Sequence, residues 1–244
     1  MRRREYSVIA VVCLGVLVAA GRTAAQAPAV PLRQVAYLKA SNPDAYDHFG
    51  EGGALPSHTG QTVAMSGDGN TIAIGAPHEA SSATGLNGNQ NDNGAYNGGA
   101  VYVYTRNGGT WQQQAYIKAS NTGLEDWFAV RLAISGDGNT LAIGAANEDS
   151  AGQGINGRQN DDSALEAGAV YFFTRSAATW AQQAYVKGSN TEAFDEFGGT
   201  IALSRDGRTM VVGARGEDGS ARGPNGNQSD NSIDESGAAY VFTR

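Results

Sequence analysis

The stretch Ser66-Gly-Asp68-Gly69-Asn-Thr-Ile-Ala-Ile-Gly75-Ala-Pro77 decides how this chain is read, because it occurs three times. It returns at Ser135 to Ala146 and again as Ser204-Arg-Asp206-Gly207-Arg-Thr-Met-Val-Val-Gly213-Ala-Arg215, each time 69 residues further on. Repetition at a fixed period is the mark of stacked structural units. Asp-Gly at the centre supplies the positive φ of a tight hairpin turn, and it persists in copy three where its neighbours change. The flanking stretches, Thr62-Val-Ala-Met-Ser66 and Thr71-Ile-Ala-Ile74, alternate side-chain character as strands do.

Two further motifs keep the same spacing. Gln-Val-Ala-Tyr37-Leu-Lys-Ala-Ser-Asn42 returns around Tyr116 and Tyr185, and Val101-Tyr-Val-Tyr-Thr-Arg106 returns as Val170 to Arg175 and Ala239 to Arg244. Each unit therefore predicts four short strands. The hairpin supplies two, the Thr-Arg motif a third after a long loop, and Ala115-Tyr116-Ile117-Lys118-Ala119 the fourth, across a short turn after Trp111. Trp180 precedes the corresponding strand of copy two. Ten extra residues between Phe49 and Gly60 interrupt copy one. A single four-stranded sheet cannot bury both of its faces, so neighbouring copies must stack.

Composition agrees with this reading. The chain has 34 Gly in 244 residues with 41% hydrophobic and 17% charged residues, a turn-rich β composition that excludes a helix bundle, a coiled coil or a doubly wound α/β enzyme. The N-terminus is set apart: Arg2, Arg3 and Arg4 precede an apolar run from Val8 to Ala20 and then Thr23-Ala24-Ala25. Residues 1–25 read as a secretory signal peptide, with an uncleaved anchor as the alternative, and residues 26–33 as a linker. Cys13, the one cysteine, falls inside the signal, so the mature chain has no disulfide. Removing four Arg and one Glu with the signal leaves 13 basic and 23 acidic residues, net −10. Nucleic acid is excluded as a partner, and after signal cleavage no membrane span is expected.

Phe49-Gly50 and Phe197-Gly198, each followed by a hairpin that ends in Gly75-Ala76-Pro77 or its counterpart, resemble the FG-GAP repeat of integrin α-chain heads and of exported bacterial proteins. The resemblance covers residues 34–244, in copies of roughly 34–112, 113–181 and 182–244. It departs at Phe128-Ala129, Ala146 and Arg215. It implies an all-β fold of three four-stranded blades of a β-propeller, extracellular placement, and adhesion or ligand binding rather than catalysis. Three blades fill only part of a seven-bladed ring, which leaves an incomplete or open arc. The chain is then the first part of a longer product, a subunit that self-associates through open blade faces, or an arc that stands alone.

The long loop between the second and third strands repeats its polar residues: Asn87 to Asn93, Asn156 to Asp162, Asn225 to Asn231. Calcium takes six to eight oxygens from carboxylates, amides and carbonyls. Glu79, Asp92, Glu148, Asp149, Asn156, Asp161, Glu217, Asp218, Asn225 and Asp230 are accordingly candidate Ca2+ ligands, although the Asp-x-Asp-x-Asp-Gly order is missing. The alternative is a network of Asx turns in which these side chains satisfy loop amides. Asp47, Asp126 and Asp195 read as turn caps, and Trp111 and Trp180 as strand anchors or a sugar-stacking surface. The insertion with Pro56 and His58 is either a specificity loop or a tolerated surface extension. His48, His58 and His78 have no repeated counterpart and read as separate surface residues, so no enzyme is expected. Three functions remain: a binding or adhesion module at the cell envelope with a protein or glycan ligand, a calcium-stabilised structural module, or a fragment of a glycan-processing enzyme.

Overall fold

A computed structural model describes residues 31–51 and 60–244. The signal segment with Cys13, the start of the linker, and the insertion residues Pro56 and His58 lie outside the described residues. No helix occurs among the described residues, and none is long and apolar enough to cross a membrane. Among the described residues eleven strands form three antiparallel sheets. The first holds β1 (Val63–Met65), β2 (Thr71–Ala76), β3 (Ala100–Asn107) and β4 (Thr110–Ile117). The second holds β5 (Arg131–Ile134), β6 (Thr140–Ala145), β7 (Ala169–Ser176) and β8 (Thr179–Val186), and the third holds β9 (Thr200–Leu203), β10 (Thr209–Ala214) and β11 (Ala238–Thr243).

The hairpin tips form as their sequence dictates. Gly69, Gly138 and Gly207 take φ of 67°, 69° and 68°. Beside Gly69 the Asp68 carboxylate accepts from the Ser66 hydroxyl at 2.6 Å and the Asn70 amide at 2.9 Å, and these bonds hold its pKa down to about 2. The tips also join one copy to the next. The Gly67 amide donates to Gly136 O at 2.9 Å, and the Gly136 amide to Arg205 O at 2.8 Å. Just inside them β1 lies against β5 and β5 against β9.

Sheet stacking builds the core. Val101, Val103 and Ile117 of the first sheet pack with Phe128, Leu132, Ile143 and Tyr171 of the second copy, and Val170 and Val186 pack with Phe197, Met210 and Val212 of the third. Strand β7, in the middle sheet, is buried on both faces through most of its length, whereas β11 alternates half-buried and exposed residues. Phe49, Phe128 and Phe197 each meet the third-strand tyrosine of their own copy edge to face, at 5.4, 5.2 and 5.4 Å from Tyr102, Tyr171 and Tyr240. Such a pair adds about 1 kcal/mol beyond the area it buries.

Two expectations are corrected. The first is that of four strands per copy: the third sheet has three among the described residues, and the motif at Tyr37 forms no strand. The sheets all lie in the unit Leu38–Arg244, and residues 31–37 before it are exposed throughout, Tyr37 at 80%. Tyr116 and Tyr185, with the same motif, are fully buried because β3 and β7 lie beside them. The second concerns the start of the fourth strand. It begins at Thr110, not Ala115, so Trp111 lies within β4 opposite Arg106. A bulge between Val103 and Tyr104 takes up the added length.

Candidate functional site

Each copy carries a polar node beneath its long loop. Glu79 is buried, and its Oε2 accepts from Lys118 Nζ at 2.8 Å and the Ser81 amide at 3.2 Å, while Oε1 accepts from Asn42 Nδ2 at 3.0 Å. Copy two repeats this, with Glu148 accepting from Lys187 Nζ at 2.8 Å, the Ser150 amide at 3.2 Å and Asn121 Nδ2 at 2.8 Å. Both lysines are fully buried. Burial pushes each ammonium below the usual lysine pKa, and the facing glutamate opposes that shift. In copy three Glu217 accepts from Asn190 Nδ2 and from the Tyr240 hydroxyl, and burial raises its carboxyl. A protein ammonium therefore lies beside Glu79 and Glu148, two of the candidate calcium ligands. The sequence held the signal, since the only lysines, Lys39, Lys118 and Lys187, all occupy the same motif position.

The other candidate ligands are dispersed. Asp149 Oδ1 accepts from the Glu166 amide at 2.8 Å, and Asp218 Oδ1 from the Glu235 amide at 2.7 Å. Asn156 Oδ1 accepts from the Tyr185 amide at 3.0 Å, fastening the loop to β8, and Asn225 holds the same left-handed φ, 58° against 56°. Asp92 accepts from the Ser82 hydroxyl and the Gly94 amide, Asp230 from the Ser220 hydroxyl and the Ser232 amide. Asp161 lies 3.7 Å from Arg158. Among the described residues no three of these eight carboxylates bring ligand atoms within 4.8 Å of one another.

The Phe-Gly position explains why that pair recurs. Gly50 and Gly198 take φ of 78° and 94°, and copy two holds Ala129 at 79°, a left-handed conformation that Gly adopts without strain. In copy three this turn sets Phe197 against Tyr240 and Phe242 on the inner face of the third sheet. Residues 180–242 match the FG-GAP repeat. No curated protein gives a significant match to the chain. Among solved structures, one of a Bacteroides uniformis ATCC 8492 protein, provisionally described as a 6-phosphogluconolactonase, is 12% identical with a TM-score of 0.38. The alignment covers 78% of this chain and 45% of that one, a likeness too slight to carry an argument.

The acid ahead of each of Phe49, Phe128 and Phe197 is a turn cap. Asp47, Asp126 and Asp195 accept from the amides of Asp44, Gly123 and Glu192 at 2.8, 2.7 and 2.7 Å. Asp126 also lines an open cavity of about 560 Å³ with Glu148, Asp149 and Asp162. Burial, then the charges of Glu148, Asp149 and Asp162, push its pKa up to about 7 against the Gly123 amide. An acid raised in the folded state gives stability that is fully present below the ordinary value of 3.8 and lost as pH climbs through about 7. The melting temperature should therefore fall between pH 5 and pH 8. Asp195, whose pKa burial likewise pushes up to about 7, contributes to the same fall. Asp126→Asn, which keeps an acceptor for Gly123, should therefore reduce the slope without abolishing it, and an equal slope in the variant would refute the assignment.

Trp180 is buried, its Nε1 donating to Gln114 Oε1 at 3.0 Å, and the Arg175 guanidinium lies 5.2 Å from its ring centroid. Trp111 is half-buried beneath Arg106 at 5.4 Å. Both anchor their strands. His48 and His78, read from the sequence as separate surface residues, instead lie together with ring centroids 4.6 Å apart.

Proposed function

We propose that the chain is an exported, non-enzymatic binding module acting at the cell envelope, whose rigid sheets carry a ligand surface along their turn-and-loop face. One observation carries this reading. Tyr46, Tyr96, Leu124, Leu165 and Phe194 are all exposed, Tyr96 at 63% and Phe194 at 53%. Backbone bonds set these positions side by side, the Glu125 amide donating to Tyr96 O at 2.9 Å and the Phe194 amide to Leu165 O at 2.7 Å. Large apolar groups held open to water on a hydrogen-bonded scaffold are what an interaction surface requires. The match to the FG-GAP repeat, a family of extracellular and generally non-enzymatic modules, supports the same conclusion.

The test is a glycan array and a panel of immobilised extracellular proteins, probed with the wild type and with Tyr96→Ser/Phe194→Ser. Binding by the wild type that falls at least tenfold in a variant of unchanged melting temperature supports the surface. Binding by neither, or equal binding by both, overturns it.

A second reading, calcium at the acidic cavity, is favoured by the four carboxylates that line it, Asp126, Glu148, Asp149 and Asp162. Calcium at ~5 mM, above the range of weak extracellular sites, should then raise the melting temperature at pH 8 in the wild type and much less in Asp126→Asn. An unchanged wild type removes this reading.

A further inference from the structure

We propose that His48, Glu51 and His78 form a binding site for a divalent cation of the zinc class. The proposal is independent of the ligand surface described above. His48 and Glu51 share one turn, in which the Glu51 amide donates to His48 O at 3.0 Å. The Gly50 amide donates to Gly75 O at 2.8 Å, which fastens that turn to the end of β2, and His78 lies two residues beyond β2. Residues far apart in sequence are thereby brought to one place. Glu51 Oε2 lies 2.7 Å from His48 Nδ1 and 3.5 Å from His78 Nε2, and the three ligand atoms lie within 4.8 Å of one another. Among the described residues this is the one group of three His, Asp or Glu side chains that converges so closely.

The spacing suits a tetrahedral ion. Zinc bonds of roughly 2.0–2.2 Å to imidazole nitrogen and carboxylate oxygen separate neighbouring donors by about 3.4 Å. The Glu51–His78 distance already meets this. The His48–Glu51 pair stands at hydrogen-bond distance and must open by roughly 0.7 Å on metallation. His48 is 40% exposed and has room for that movement. Imidazole donors select zinc, cobalt, nickel or copper over calcium, which prefers oxygen throughout.

The surrounding groups fix which nitrogen is presented. His78 Nδ1 lies 2.8 Å from Asn97 Oδ1, and Asn97 Nδ2 donates to Glu125 Oε2 at 2.9 Å. The Glu125 carboxylate can only accept from the amide nitrogen, so it orients the Asn97 amide and leaves its oxygen toward the imidazole. Nδ1 of His78 must then carry the proton, and Nε2 offers its lone pair on the side of Glu51. Asn97 is buried, as a group that orients a metal ligand must be if it is to hold its geometry. The Trp127 ring, 5.6 Å from His78, brings an apolar edge from copy two.

The repeat separates this cluster from the scaffold. The positions of His48 and His78 hold Trp127 and Asn147 in copy two, and Glu196 and Gly216 in copy three. The turn at Glu196 carries instead an ion pair with Arg215. The ligand set is thus peculiar to copy one, on a turn whose backbone is common to all three: φ is 55° at His48, 54° at Trp127 and 52° at Glu196. Three protein donors leave a fourth tetrahedral position open to water or a ligand atom.

Calorimetric titration of the full chain with ZnCl2, and visible spectroscopy with CoCl2, test the site. The expected result is one equivalent bound per chain, with the intense visible absorption of tetrahedral cobalt. His48→Ala and His78→Ala should each weaken zinc by at least tenfold, and Asn97→Ala by about 10–100-fold as an orienting partner. Should a variant unfold, the imidazole 15N shifts of the wild type decide, because His48 and His78 must both move as zinc is added. Absence of stoichiometric binding, affinity unchanged in the double histidine variant, or immobile His48 and His78 resonances overturns the proposal.

Discussion

Lys187→Met should lower the stability of the folded chain by about 3–5 kcal/mol, the range for removing one partner of a buried ion pair. The lysine and Glu148 are both buried and 2.8 Å apart, so the variant strands a buried carboxylate with neutral donors, among them the Asn121 amide group and the Ser150 N–H, and no countercharge at its side. For a domain of this size the melting temperature should fall by roughly 10 °C. Adding Glu148→Gln should recover most of the loss, since a neutral amide keeps an acceptor for Asn121 and leaves no buried charge. The exposed guanidinium of Arg158, 3.7 Å from Asp161, is the contrast: Arg158→Met should cost no more than about 0.5 kcal/mol. Urea unfolding of the four proteins measures all of this. A double variant as unstable as the single one would show that the stranded charge is not the cause.

Gly99→Ala and Gly168→Ala should each cost about 4 kcal/mol, from overpacking of a few kcal/mol and left-handed strain of roughly 1–2 kcal/mol. The three equivalent glycines, Gly99, Gly168 and Gly237, share φ near 75° at 74°, 77° and 75°. They differ in what lies opposite. A β-carbon on Gly99 would fall 2.0 Å from Phe128 O and one on Gly168 2.2 Å from Phe197 O, backbone atoms of the following copy that cannot step aside. On Gly237 the nearest atom would be Arg215 O at 3.5 Å, an ordinary contact. Gly237→Ala should therefore cost only about 1 kcal/mol, the conformational part alone. The difference between the first two and the third measures how tightly one copy seats on the next, and three equal losses would refute that seating.

The hairpins and the Thr-Arg strands were legible because their instructions are local: Asp-Gly sets the turn and alternating side chains set the strand. The sequence starts the fourth strand five residues late because Trp111 reads as a flank, while the turn is made by Gly108 and Gly109 at φ of 56° and 90°. Tyr37 departs from its counterparts. Its motif matches Tyr116 and Tyr185, yet strand formation depends on a partner to pair with, not on the motif alone. The lysine nodes could have been found by noticing where all three lysines fall. The His48–Glu51–His78 cluster could not, because tertiary contacts such as the bond from Gly50 to Gly75 bring those side chains together.

The arginines at the ends of β7 and β11 reach backward along the chain. Arg175 donates to Gln114 Oε1 at 3.0 Å and to Thr71 Oγ1 at 3.1 Å, and Arg244 donates to Thr140 Oγ1 at 3.0 Å. Every such clasp runs from a later segment to an earlier one. On a ribosome the threonine has emerged long before its arginine is made, so assembly acquires a direction, with each finished sheet serving as the template on which its successor locks.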